Sequence, residues 1–198
     1  MVGGKTAEQN GLEYGVAVSD SDFSQITAIE KMNLEENISP EESSSQGFVT
    51  VHHDLLLLRA MSRSAPQVVA RIGDKIVGYA LNLSSDQKDR IPMLQPMFDR
   101  IEKAYFKGRV LHGASYMIMV GVCVAKPYRG RGISQGLYRY MRSLLTSKVD
   151  YIITEIALRN KGSEHAHHKL GFETLESYSD SSGEKWDLVI WDWTLKSA

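Results

Sequence analysis

The segment Val122 to Leu137 reads VCVAKPYRGRGISQGL. An apolar run stops at Pro127, glycines and arginines alternate from Arg129 to Gly132, and an amphipathic stretch begins at Ile133. The first turn of a helix leaves N–H donors without partners and carries about half a positive charge. Glycine lets an anion come close to the backbone. Arg129 and Arg131 add donors and charge. Together these features make a cradle for a pyrophosphate. Two familiar phosphate loops do not fit. Glycines at 130, 132 and 136 miss the GxGxxG spacing, and no Gly-Lys-Ser/Thr follows. The turn also does not follow the first strand, where a dinucleotide fold places it.

Other chemistry-bearing residues carry less. On a helix His165 and His168 share a face and His167 points elsewhere, with no acidic or cysteine ligand at supporting spacing, so no metal is expected. His52-His53 reads as a loop or helix-start pair. Cys123 is the only cysteine and lies inside an apolar run, which suits inert packing better than a nucleophile. A lone cysteine excludes an internal disulfide framework and points to a reducing compartment, so a cytoplasmic location is expected. The net charge of −1 gives no field for nucleic acid or an acidic membrane. One Arg-Gly pair without flanking aromatic or basic repeats is a weak RNA signal. No window approaches the ~20 apolar residues of a membrane span. Residues 1–10 lack the apolar run of a signal peptide and read as a flexible tail before a domain over 11–198.

The elements that must position the turn follow from periodicity. Tyr14 to Val18 reads as a strand. A helix over about Phe23 to Leu34 carries the stripe Phe23, Ile26, Ile29 and Leu34, with Asp20 or Asp22 as cap. Glu35 to Gln46 reads as a loop, and His53 to Arg63 as a helix. Gln67–Ile72 and Lys75–Leu83 flank Gly73-Asp74 and predict a hairpin. Ser84 to Gly113 has a helical repeat at Met93, Met97, Ile101 and Tyr105. A substrate pocket partly lined by Met93 or Met97 is one reading. Met117 to Ala125 is a buried strand, Ile133 to Leu145 an amphipathic helix, and Tyr151 to Leu158 another strand. Glu164 to Leu170 predicts a helix ended by Gly171, and two strands close the chain over Phe172–Tyr178 and Lys185–Leu195. Alternation puts Trp191 and Trp193 on one face and Trp186 on the other, as core or as a dimer interface. The unit near 117–158 requires a right-handed parallel crossover. The fold expected is one α/β (α+β) domain with a mixed, mainly antiparallel sheet of about seven strands and helices on both faces.

Two motifs resemble the GNAT-type N-acetyltransferase superfamily. Arg129-Gly-Arg-Gly132-Ile-Ser134 matches its Arg/Gln-x-x-Gly-x-Gly/Ala signature, with Ser134 at the last place. Downstream, Asn160, Ser163, Gly171 and Phe172 fall in register with the family's second motif, and His167 stands at its usual tyrosine. The resemblance covers Tyr116 to Phe172 clearly, and Tyr14 to Leu83 only in order of elements. It implies acetyl-CoA as co-substrate, with no metal. Val122, Cys123 and Val124 would pair with the pantetheine arm like an added strand. The amides of Arg129, Gly130, Arg131, Gly132, Ile133 and Ser134 would hold the diphosphate, and Asn160 and Ser163 would contact the cofactor. An N–H at Val124 could polarise the thioester carbonyl. His167 becomes the candidate general acid. Glu155 is the candidate base, with Asp187, Asp192 and Tyr178 as weaker options. The activity implied is acetyl transfer to a primary amine by direct attack. A non-catalytic acyl-CoA-binding or sensing module is the alternative. The acceptor, a small molecule or a peptide amine, is not legible; polyamine, amino acid, antibiotic and protein N-terminus stay open. So do the acyl chain length and a homodimer.

Overall fold

Ser19 starts the first helix, α1 (Asp20–Asn33), with a capping box: its hydroxyl accepts from Asp22 N–H at 3.1 Å, and the Asp22 carboxylate accepts from Ser19 N–H at 3.1 Å. Asp22 also accepts from Val18 N–H at 3.0 Å and meets Arg71 at 3.3 Å. Burial alone would push this carboxyl up; the Val18 and Ser19 N–H donors and Arg71 outweigh it and hold the pKa below the usual value. A depressed pKa stabilises the fold above the unfolded carboxylate range, and that contribution is lost as pH falls through the folded value. Asp22→Ala is therefore expected to cost about 1 kcal/mol at pH 7. Urea unfolding at pH 7 and at pH 3 checks this, since the difference between variant and parent should shrink at the lower pH.

The computed structural model describes residues 11–90 and 94–194, apart from the side chains of 89 and 90. The tail expected at 1–10 and the pocket role expected of Met93 lie outside the described residues. Seven strands form one mixed sheet: β1 (Leu12–Val16), β2 (Val68–Ile72), β3 (Lys75–Ser84), β6 (Tyr116–Val124), β7 (Tyr151–Ala157), β8 (Glu173–Ser179) and β9 (Lys185–Asp192). Their order is β1-β2-β3-β6-β7-β9-β8. The pairs β1–β2, β2–β3, β7–β9 and β8–β9 are antiparallel, and β6–β7 is parallel. The hairpin at Gly73 and the parallel crossover agree with the sequence. The insertion of the last strand between β7 and β8 was not legible from periodicity.

Contacts cluster in two compact units. The first holds the chain to Asn37, Val49–Asn82 and Gly121–Leu144. Its core includes Phe23, Ile26 and Ile29 of α1, and Leu58 and Met61 of α3 (Leu55–Ser62). The buried side chain of Gln67 closes the mouth of the β2–β3 hairpin: it donates to Asn82 O and accepts from Asn82 N–H, both at 2.9 Å. Helix α5 (Ile133–Leu145) spans the range its stripe predicts and buries Ile133, Leu137 and Met141.

The second unit holds Ile38–Phe48, Leu83–Val120 and the chain from Leu145. The loop expected over Glu35–Gln46 contains a 3-10 turn, Glu35–Asn37, and a short helix, α2 (Pro40–Gln46). Ser39 caps α2 by accepting from Glu42 N–H, and Pro40 starts it at a position that needs no N–H. The serine run hid this element. The helical pattern at 84–113 yields a shorter helix, α4 (Gln95–Ile101), and then a two-stranded hairpin, β4 (Tyr105–Phe106) and β5 (Arg109–Val110). Lys107 and Gly108 make its turn with φ of 48° and 79°, which ends the helical repeat before Tyr105. Met97 is buried. Helix α6 (Lys161–Leu170) begins a turn earlier than expected because Asn160 caps it, and Gly171 ends it at φ 102°. The rings of His167, Phe172, Trp191 and Trp193 follow one another at centroid distances of 5.0, 5.4 and 5.3 Å, so Trp191 and Trp193 help build this unit's interior.

Candidate active site

Strand β6 is the spine of the site. Its pairing with β7 covers only Tyr116, Met117 and Ile118. Beyond them Val120, Gly121, Val122 and Cys123 are half-buried, although β6 is a central strand. A central parallel strand is normally covered on both sides. Of the expected pantetheine partners, Val122 and Cys123 lie in this half-buried stretch and Val124 is buried beyond it. Burial pushes the Cys123 thiol up to about 11, against the lowering effect of Arg129. At neutral pH it is a thiol, which does not suit a covalent acetyl carrier.

After Val124 the chain makes a 3-10 turn, Lys126–Tyr128, and enters the glycine segment. Gly130 and Gly132 have φ of 73° and 75°, a left-handed conformation that favours glycine. Both are exposed, and a Cβ on Gly130 would meet nothing within 4 Å. Gly136 N–H donates to Gly132 O at 3.1 Å, so the amides of Ile133, Ser134 and Gln135 precede the first α-helical bond of α5. The two arginines also bond within the protein. Arg129 Nε donates to Val124 O at 3.0 Å and its guanidinium also donates to the Asn33 side chain. Arg131 Nη2 donates to Pro127 O at 2.9 Å. Both side chains brace the turn, whose glycines are exposed. These residues fit the diphosphate of a CoA thioester.

In the second unit, Asn160 uses its side chain on the protein. Its carbonyl accepts from Ser163 N–H at 3.2 Å and its amide donates to Phe48 O at 2.9 Å. Gly47, at φ 77°, and Gly162 allow the chain to pass here: a Cβ on Gly47 would stand 2.6 Å from Asn160 Oδ1. His167 is buried, and its Nδ1 donates to Ser163 O at 2.8 Å. Desolvation pushes its pKa down to about 4, so the ring is neutral at pH 7. Glu155, the expected base, accepts a hydrogen bond from the Tyr178 hydroxyl. Burial raises its pKa and Tyr178 partly offsets the rise. The Arg100 guanidinium lies 3.7 Å from the Tyr178 ring centroid and bonds Glu176 at 2.5 Å. A cavity of about 450 Å³ beside it is lined by Pro96, Asp99, Arg100, Lys103, Ala104 and Glu176. Asp187 accepts from Ser177 Oγ at 2.5 Å, and Asp192 lies 3.4 Å from Lys107 Nζ.

The sequence missed one group. Glu30, fully buried on α1, accepts from His53 N–H at 2.9 Å and from His53 Nδ1 at 2.8 Å. A signal was present: Glu30 follows Ile26 by one helical turn and precedes Asn33 on the buried stripe, where a carboxylate needs a partner.

The mixed sheet, the short parallel pairing of β6 and the glycine turn that leads into α5 define a class, the acyl-CoA-dependent transferases of GNAT fold. The chain belongs to the acetyltransferase (GNAT) family, whose model matches residues 29–172. Solved structures agree on the fold. The ribosomal-protein-S18-alanine N-acetyltransferase from Escherichia coli superposes with a TM-score of 0.61 at 10% identity, over 94% of this chain and 96% of that one. Arabidopsis thaliana Naa50, solved with the bisubstrate analogue CoA-Ac-MVNAL, gives 0.60 at 15% identity, over 92% and 99%. Salmonella typhimurium yncA, solved with its cofactor acetyl-CoA, gives 0.55 at 14% identity, over 94% and 96%. A search of curated proteins finds no match. Among the described residues no helix is long and apolar enough to cross a membrane, and no group of three His, Cys, Asp or Glu side chains is placed to hold a metal ion.

Proposed function

We propose that the protein transfers the acetyl group of acetyl-CoA to a primary amine by direct attack. The observation that carries this is the half-buried stretch Val120–Cys123 of a central strand, followed by the two left-handed glycines before α5. The pantetheine arm pairs with Val122, Cys123 and Val124. The diphosphate rests on amides from Arg129 to Ser134. Solved relatives of the same fold hold acetyl-CoA or a CoA–peptide analogue, which supports this co-substrate and leaves the acceptor class open. The amine loses a proton, its nitrogen attacks the thioester carbon, the C–S bond breaks, and the thiolate leaves and is protonated. The high pKa of Cys123 favours this single displacement over an acetyl-cysteine.

Glu155, with its raised proton affinity, is one candidate for the amine's proton. His167 enters with its Nδ1 proton committed to Ser163 O, so the neutral ring has only a lone pair at Nε2 and no proton to give there. In this proposal it holds α6 against Phe172, and solvent protonates the thiolate. The same observation favours the sensing alternative. Calorimetry with acetyl-CoA, followed by thiol release across polyamines, amino acids, aminoglycosides and free peptide N-termini, separates the two. Saturable binding with release on one class is expected. Binding with no release on any amine leaves a sensor, and no binding removes the proposal.

A further inference from the structure

Beside the half-buried stretch of β6 lies a polar cluster that the reaction outlined above does not use, and it belongs to the same compact unit as Val122–Val124. His53 is about nine-tenths buried or more, at 5% exposure. The Glu30 carboxylate takes its backbone N–H and its Nδ1–H, and His52 Nδ1 lies 3.3 Å from the same carboxylate. A carboxylate only accepts, so the neutral His53 ring carries its proton on Nδ1 and a lone pair on Nε2. Among the described residues no protein group pairs with that Nε2. Its neighbouring ring carbon, Cε1, would stand 3.9 Å from a Cβ on Gly121, and Tyr79 Cε2 would stand 3.8 Å from it. The His53 and Tyr79 rings therefore both border the side of Gly121 that a side chain would occupy. Cys123, two residues on, shares that face. The hydroxyl of Tyr79 is fully buried and has no partner among the described residues. Burial pushes its pKa well up, so it stays a donor. A lone pair on the His53 ring and an orphan buried donor on Tyr79 thus flank the residue that precedes the expected thioester rail.

Buried polar groups without partners are costly and call for an explanation. A carboxylate that fixes an imidazole tautomer, with the other nitrogen open, is the arrangement of a general base and its orienting partner. From this geometry we infer that His53, oriented by Glu30, is the base that deprotonates the acceptor amine beside Gly121. This deepens the acetyltransfer proposal and rests on it. The ammonium gives one proton to Nε2, and the imidazolium is held by Glu30. The neutral amine attacks the acetyl carbon and the C–N bond forms. The C–S bond breaks and CoA leaves as thiolate. The second nitrogen proton and the imidazolium proton pass to thiolate and solvent, which restores the ring. The titratable groups around His53 are Glu30 from α1, His52 beside it, Tyr79 from β3 and Cys123 from β6, with Arg129, after the 3-10 turn that follows β6, bonded back to Val124 O.

The test compares wild type with His53→Gln, Glu30→Gln and Glu155→Gln, using acetyl-CoA and amines of graded basicity from methoxyamine to spermidine. His53→Gln should stay folded and bind acetyl-CoA like wild type, with a lower Tm because buried Glu30 loses its Nδ1–H donor. Its kcat should fall by about 100-fold or more with spermidine, in line with a lost general base. The loss should shrink toward methoxyamine, which is already neutral at pH 7, and the acid limb of the kcat profile should disappear. Equal kcat in wild type and His53→Gln on every amine turned over overturns the inference, as does a loss that ignores amine basicity. If no amine in the set is turned over, ring ¹⁵N spectra decide. Nε2 of His53 should shift when acetyl-CoA is added. No shift also overturns it. Wild type that fails to bind acetyl-CoA at all removes the underlying function as well, so the two failures are distinct.

Discussion

Gly132→Glu is expected to weaken acetyl-CoA binding by about 100-fold or more, equivalent to ~2.7 kcal/mol, while the protein stays folded. Two effects combine. Gly132 sits at φ 75°, where a residue with a Cβ costs about 1–2 kcal/mol. The turn can relieve that strain only by moving the amides that meet the diphosphate. A carboxylate is then added at a helix start that favours anions from the ligand, and like charges so placed repel. Gly132 is exposed, and a Cβ there meets only Gln135 Oε1 at 3.6 Å, so a large loss of stability is not expected. Isothermal calorimetry with acetyl-CoA and a thermal melt on the same sample check both halves. Gly132→Ala should show the backbone part alone, with a smaller loss of affinity.

Gly162→Ala should have the opposite signature, a large loss of stability. A Cβ on Gly162 would stand 2.6 Å from Gly47 N and 2.8 Å from Gln46 C. These are backbone atoms, and they cannot retreat as a flexible side chain would. The same junction carries the two Asn160 hydrogen bonds and the Arg159 guanidinium, 4.6 Å from the Phe48 ring centroid. Overpacking of this kind typically costs about 1–3 kcal/mol. In a chain of this size each kcal/mol lowers Tm by about 2–4 °C. Thermal melts measure the loss, and limited proteolysis locates it: new cuts should fall at Pro40–Gln46 first. A variant as stable as wild type, with Ile38–Phe48 still protected, would show that the two glycines are not needed for this contact.

The parts of the fold that were legible share a cause. Helix α5 and strands β6 and β7 have single-period apolar patterns, and burial alone places them. The glycine turn was legible because left-handed backbone beside a helix start leaves few residue choices. What escaped depends on partners far away in sequence. The Asn160 amide serves Phe48 O across more than a hundred residues. Arg129 reaches Asn33 on α1. No local pattern records such pairings. His167 was weighed by its place in the motif, and only the structure shows the burial that keeps it neutral. The Glu30–His53 pair was half legible. The carboxylate on a buried stripe was visible, but its histidine lies beyond the polar segment that contains α2.

The central claim is that backbone N–H groups at the start of α5 hold the diphosphate of coenzyme A. Amide ¹H–¹⁵N spectra recorded while CoA is titrated in test it most directly. The account predicts that Gly130, Arg131, Gly132, Ile133 and Ser134 shift together, saturate with one Kd, and do not shift with dephosphorylated pantetheine. Saturable CoA binding that leaves these amides unmoved would contradict it.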